Sequence, residues 1–286
     1  METNHFLPAE TTDKIIQSCI KKSNYSILHM LLLGILGGAF IAFASEGSNT
    51  AIHTIASVGV GKALAGALFS TGLMMVVIAG AELFTGNILM VIPFASKKIC
   101  LGRLLRNWIW VYIGNFIGSL IIVLFIIYSG QFGFSGGGLG GFTIKLAAYK
   151  TGLTFANGFF MGILCNWLVC MAVWMAASAK DITGKLFAIF FPIWLFITSG
   201  FEHSVANMYY IPAGILAKAN PVFVQKAIEL GAKQEAIDKL NWVTLFTGNL
   251  IPVTLGNIVG GMVFVGMIFW VTHCRKSKND IQACDQ

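Results

Sequence analysis

Six long apolar segments constrain this chain more than any other feature of its sequence. About twenty apolar residues cross the hydrocarbon core of a bilayer as a helix, and segments of this kind lie near residues 27–45, 63–94, 107–129, 154–177, 186–213 and 243–271. A composition of 56% hydrophobic and 11% charged residues, with a mean hydropathy of +0.77, excludes a soluble globular protein. We therefore expect an all-α integral membrane protein.

The placement of lysine and arginine predicts the orientation of these segments. Basic residues cluster after the second segment and after the last one, at Lys97, Lys98, Arg103, Arg106, Arg275, Lys276 and Lys278. Because cytoplasmic loops carry such an excess, six spans place both termini in the cytoplasm. The expected organisation is a cytoplasmic segment with a short amphipathic helix (1–26), a membrane domain (27–272) and a cytoplasmic tail (273–286). The net charge of +7 then reflects topology and indicates no nucleic-acid partner.

The sequence carries no recognisable signature of a metal site or a catalytic nucleophile. Its six cysteines lack metal-ligand spacing, and no HExxH motif occurs. We therefore expect no metal and no other cofactor.

An internal repeat divides the chain into halves of about 27–130 and 150–272. The second apolar segment contains GAELFTGN and the fifth contains GFEHSVAN, which share the pattern G-x-E-x-x-x-x-N at residues 80–87 and 200–207. Two further pairs follow the same order: GILGG with GILCN, and IGNFIG with LGNIVG. Such repeats are typical of transporters.

Three spans per repeat is an odd number, so the two halves cross the membrane in opposite directions. Glycine and polar residues break the second and fifth spans near the midplane. Irregular backbone persists at that depth only where protein or a water-filled cavity satisfies it, so the two breaks should face each other across a pathway. The helices that follow, beginning near Asn87 and Asn207, would direct partial positive charge toward the centre. This arrangement suits a small anion.

The segments AELFTGN, GILCNWLVCMAVWM, SGFEHSVANM and IPVTLGNIVGG closely resemble the formate/nitrite transporter family, which also includes hydrosulfide channels. The likeness extends over all six spans. It implies an aquaporin-like protomer, a homopentamer in the cell membrane with one pore per subunit, and a small anion of a weak acid as substrate. Formate is the first choice, and nitrite and hydrosulfide remain alternatives.

The resemblance also nominates site residues. It implies that Thr85 and His203 lie on the pore and that Lys150 guides anions in the outer vestibule. It further implies that Asn166 and Asn257 are polar pore positions. The apolar constrictions that it implies are formed by Phe69, Leu73, Leu83 and Phe196. By sequence alone Lys150 is equally an ordinary loop residue, and the phenylalanines are core or lipid-facing. Asn257, like Asn115 at the matching position, could equally bond the broken loops. An ionisable residue inside a membrane is functional by default, which favours a role for His203 independently of the family.

The paired acids suggest a different role from that of the histidine. We expect Glu82 and Glu202, with Asn87 and Asn207, to hold the loop amides at the two breaks. A protonated His203 would neutralise the anion or donate a proton to it, with a hydroxyl hydrogen bond from Thr85 on the opposite wall, so channel and proton-coupled carrier both remain open. Two other classes compete: an intramembrane enzyme using Glu202 and His203, and a divalent-cation transporter using both acids and the histidine.

Overall fold

The computed structural model describes residues 4–274, and its regular structure over that range is helical. Within it, six helices are long and apolar enough to cross a membrane. The first half of the chain forms α1 (Pro8–Ser23), α2 (Ile27–Ile52), α3 (Val58–Ala79), α4 (Phe84–Ala95) and α5 (Leu101–Tyr128).

The second half repeats this order and adds helices between its spans. It forms α6 (Phe134–Thr151), α7 (Phe155–Ser178), α8 (Ile182–Ser199), α9 (Ser204–Ala217), α10 (Pro221–Glu229), α11 (Gln234–Lys239) and α12 (Trp242–His273). Helix α12 contains π-helical turns at Leu245–Leu250 and Met262–Met267. The predicted tail lies outside the described residues beyond position 274.

The two broken spans are interrupted by glycines in the left-handed conformation. Gly80 ends α3 with φ 76° and Gly200 ends α8 with φ 75°, a region that residues with a Cβ rarely enter. Leu83 and His203 are then extended, and α4 and α9 begin at the next residue. These starts lie three residues before the predicted Asn87 and Asn207, because only three non-helical residues separate each glycine from the next helix.

Matching glycines let the first and last membrane-spanning helices of each half pack closely against each other. A Cβ at Gly118 would lie 2.0 Å from the Ile35 carbonyl oxygen on α2, and one at Gly260 would lie 2.3 Å from the Ile163 carbonyl oxygen on α7. Small residues at such positions let membrane helices approach closely. The α2–α5 and α7–α12 pairs are therefore built alike, as the repeat predicts.

Helix α1 packs against one end of the bundle. It contacts the last turns of α12, so both described chain ends lie on this face, called the inner face below. The helix buries Ile15, Ile16 and Cys19. Burial raises the pKa of the Cys19 thiol to about 12, because a thiolate loses its hydration there.

Candidate functional site

The two breaks meet through a hydrogen bond between Thr85 and His203. The Thr85 hydroxyl oxygen lies 2.8 Å from Nε2 of the imidazole, and both residues are buried. Each follows a left-handed glycine and comes from a different repeat. This contact joins the centres of the two half-chains.

The hydrogen bonds of His203 define its proton arrangement. Its Nδ1 accepts the Ala206 N–H at 3.0 Å, so Nδ1 carries no proton and the imidazole is neutral, with Nε2–H donating to Thr85. A proton on Nδ1 would oppose that N–H, and the positive end of α9 also disfavours imidazolium. The Thr85 oxygen is thus an acceptor, and its own hydrogen finds no acceptor among residues 4–274.

Two of the residues nominated for an apolar constriction lie beside this pair. The rings of Phe69 on α3 and Phe196 on α8 meet edge to face with centroids 5.7 Å apart, and Phe196 lies 6.0 Å from the His203 ring. Both phenylalanines are buried. The structure therefore brings these two nominated residues together with the polar pair.

A cavity of about 320 Å³ opens on the inner face. Leu73 and Leu83, the other two nominated constriction residues, line it, and Lys21, Lys22 and Lys185 also contribute to its wall. Its basic character suits an anion.

Glu82 lies in an ion pair that the sequence reasoning missed. Lys22 of α1 approaches its carboxylate at 3.1 Å, and the Asn87 amide donates to the same carboxylate at 2.6 Å. The Asn87 amide also donates to Asn107 at 2.9 Å. Burial lowers the pKa of the Lys22 ammonium, but attraction to Glu82, Cys19 and Tyr25 together with the hydrogen bond to Glu82 leaves that pKa above its ordinary value.

Glu202 has the equivalent environment in the second repeat. The Lys150 ammonium binds its carboxylate at 2.7 Å, and the Asn207 amide donates to it at 2.6 Å. The Asn207 amide also donates to Asn249 at 2.6 Å. Lys150, nominated as a vestibule residue, is thus held in a buried ion pair and is only 8% exposed.

The spacing of the repeat indicates the residues around Glu82 and Glu202 that were not predicted. Lys22 precedes GILGG by the same number of residues as Lys150 precedes GILCN. Asn107 precedes IGNFIG by the same number as Asn249 precedes LGNIVG. The repeat therefore extends beyond the apolar motifs into the polar residues on either side of them, and this match was the available signal.

Asparagines, rather than the two acids, hold the backbone at the breaks. Asn257 accepts the Ser204 N–H at 2.9 Å and donates to the Glu202 carbonyl at 3.0 Å. Asn115 does the same in the first repeat, with the Phe84 N–H and the Glu82 carbonyl, both at 2.9 Å. The expectation that the carboxylates bind loop amides needs correction: their hydrogen bonds in the described chain go to side chains, because the asparagines already satisfy the backbone.

Asn166 connects the two repeats near the centre. Its Nδ2 donates to the Thr85 carbonyl at 3.2 Å and to the Asn257 carbonyl at 2.7 Å. Its Oδ1 is buried and finds no partner in the part of the chain that the structure describes. This nominated residue therefore lies against Thr85, whereas the side chain of Asn257 is committed to the loop.

The geometry gives the competing divalent-cation transporter little support. Glu82 and Glu202 belong to separate ion pairs, so they do not converge on one cation. Among residues 4–274, no group of three or more His, Cys, Asp or Glu side chains is placed to hold a metal ion.

Comparison with known proteins decides the family. The family model described as formate/nitrite transporter matches residues 9–271. This chain belongs to the formate/nitrite transporter family. It is 37% identical over 275 residues to Formate channel FocA of Escherichia coli (strain K12), with 95% of each chain covered. It is 40% identical over 264 residues to Formate channel FocA of Haemophilus influenzae (strain ATCC 51907 / DSM 11121 / KW20 / Rd), with 91% of this chain and 92% of that one covered.

Solved structures of this family have the same fold. A structure described as a pentameric formate channel with formate bound matches with a TM-score of 0.78 at 41% identity, covering 87% of this chain and 98% of that one. A second, described as an FNT family ion channel, has a TM-score of 0.77 at 28% identity and covers 92% and 98%. The predicted family and the predicted fold, six spans in an aquaporin-like 3+3 inverted repeat, are both confirmed.

Proposed function

We propose that this protein is a homopentameric membrane channel for formate and related small anions of weak acids. It moves its substrate without chemical change, has one pore per subunit and keeps both termini in the cytoplasm. The names of the similar proteins support formate and five subunits. The observation that carries the proposal is the hydrogen bond between Thr85 and His203, which joins the two broken spans beside the Phe69–Phe196 constriction.

The pathway must compensate an anion for the water it loses. A bare charge is costly among apolar side chains, and the constriction supplies no polar group. Beyond it, the Thr85 hydroxyl has a free hydrogen to donate, because its oxygen already accepts the imidazole N–H. Donation from His203 polarises that hydroxyl and strengthens its bond to an anion.

A neutral His203 acts in this scheme as a fixed hydrogen-bond donor. It has one proton, on Nε2, and surrendering it would leave an imidazolate. Protonation of Nδ1 would first break the bond from Ala206. We therefore propose that permeation does not depend on imidazolium, and that any proton that accompanies the anion comes from water.

Flux in proteoliposomes tests this proposal. Formate, nitrite, hydrosulfide and chloride are compared across a pH series for the wild type, His203→Ala and His203→Gln. We expect weak-acid anions to pass and chloride to be excluded, with the rank of substrates identifying the preferred anion. The glutamine amide replaces the Nε2–H donor, so His203→Gln should retain flux that His203→Ala loses.

Two outcomes contradict the proposal at different points. If the wild type passes no weak-acid anion, the assignment as a channel for such anions is wrong. If formate passes but the glutamine variant loses flux and pH dependence together with the alanine variant, the histidine acts by titration, and the neutral-donor mechanism is wrong.

A further inference from the structure

The pore face of α3 extends outward beyond the constriction to Lys62. The hydroxyl of Ser70 donates to a carbonyl on α8 at 3.1 Å, and a Cβ at Gly72 would lie 2.8 Å from a side chain of α2. Phe69 and Leu73 lie between these two packing faces. Lys62 precedes Phe69 by seven residues, which is within about 20° of two full helical turns and about 10 Å along the axis. It therefore shares the pore face of the helix.

A contact with α8 places the ammonium of Lys62 at the opening of the broken span. Its Nζ lies 2.9 Å from the point where a Cβ on Gly200 would stand. Gly200 ends α8 and leads through Phe201 and Glu202 to His203. Because glycine has no side chain, the ammonium can approach the outer side of this break closely.

The charge of Lys62 is not neutralised by the protein. Lys62 is exposed, and across residues 4–274 its ammonium has no carboxylate within ion-pair distance and no hydrogen-bond partner. Two other lysines differ from Lys62. Lys150 is bound to Glu202, and Lys145 donates to the Leu230 carbonyl at 2.6 Å.

We propose that Lys62 forms an outer recruitment site, where its ammonium concentrates the incoming anion before the anion loses water at Phe69 and Phe196. This inference rests on the proposed function and adds a residue to it. A unit charge about 7 Å from an anion in a water-like medium raises the local anion concentration about threefold. Salt should screen this effect, since the Debye length falls from about 30 Å at 0.01 M to about 8 Å at 0.15 M.

A structural role is the competing explanation. The ammonium lies at the carboxyl end of α8, where a cation is favourable whether or not an anion binds. The two explanations differ in whether the sign of the charge controls substrate entry. The test must therefore vary the charge at one position in a folded protein.

Chemical modification of a Lys62→Cys variant provides that variation. Vesicles with the outer face exposed are treated with a trimethylammonium-ethyl or a sulfonato-ethyl methanethiosulfonate, and formate uptake is measured against concentration. At low ionic strength we expect the unmodified variant to need about threefold more formate for half-saturation. The cationic reagent should restore the wild-type value, and the anionic reagent should raise it further. These differences should shrink at about 0.15 M salt.

Controls separate the possible failures. Lys145→Cys removes a different lysine charge and should leave the formate concentration for half-saturation unchanged. Wild type treated with each reagent shows the effect of modifying the native cysteines. Lys62→Gln removes the charge but keeps a polar, slightly shorter side chain, and it replaces the cysteine variant if that variant does not assemble. The recruitment site would be overturned if the cationic and anionic reagents had equal effects on Lys62→Cys. It would also be overturned if the unmodified Lys62→Cys variant reached half-saturation at the same formate concentration as the wild type. Absence of formate flux in the wild type would overturn the proposed function itself.

Discussion

Replacing Asn257 with leucine tests whether this residue holds the second break or lines the pore. Leucine is similar in size and has no hydrogen-bonding group. The substitution removes the acceptor for the Ser204 N–H and the donor to the Glu202 carbonyl. Both backbone groups would then be buried without that partner, directly beside His203.

The expected cost follows from these two groups. Leaving a buried backbone group unpaired costs about 1–3 kcal/mol, so the variant should lose about 2–6 kcal/mol of folding free energy. At roughly 2 °C of melting temperature per kcal/mol for a chain of this size, the melting temperature should fall by at least about 4 °C. Formate flux should fall as well, because the segment that positions the imidazole is released.

Asn49→Leu is a matched control for this substitution. Asn49 is buried, and its Nδ2 has no partner within the described chain. Its removal should therefore leave the melting temperature unchanged or slightly higher. The assay is thermal unfolding of purified protein in one detergent, followed by tryptophan fluorescence.

The competing outcome for Asn257 is equally definite. A pore-lining asparagine would alter substrate rank and leave the melting temperature near that of wild type. If Asn257→Leu melts together with Asn49→Leu, the assignment of Asn257 to the loop is refuted.

Three further predictions concern the Thr85 hydroxyl, a helix crossing and a buried thiol. Thr85→Val should reduce formate flux at least about tenfold through loss of one charge-assisted hydrogen bond, whereas Thr85→Ser should stay within about threefold; equal flux in both would exclude the hydroxyl. Gly118→Ala should prevent assembly, since its Cβ would lie 2.0 Å from a backbone oxygen, and Gly47→Ala, with nothing within 4 Å, should assemble normally, as size-exclusion profiles would show. With a pKa of about 12, about one Cys19 thiol in ten thousand is ionised at pH 8, so maleimide should label exposed Cys100 and spare Cys19 until the protein is denatured, as mass spectrometry would show.

Repetition in the sequence was sufficient to predict the architecture. Spans depend on runs of apolar residues along the chain, and the inversion follows from an odd number of spans per repeat, so neither requires knowledge of contacts. The breaks were predictable because Gly80 and Gly200 stand in matched motifs. The helix starts were misplaced by three residues, because the position where a chain re-enters a helix depends on its local φ and ψ.

The roles of individual polar side chains depended on partners distant in sequence. His203 shows its neutral form only through contacts with Thr85 and Ala206. The pairing of Lys150 with Glu202 and of Lys22 with Glu82 joins separate helices.

The sequence by itself determined the membrane class, the inverted repeat and the family, since each is a property of order along one chain. Only the tertiary structure decided which charges are neutralised, which asparagines hold the backbone and which lysine lies beside the second break. The physical reason is that hydration and hydrogen bonding at a buried site depend on every element that packs around it, and residues far apart in the sequence supply those elements.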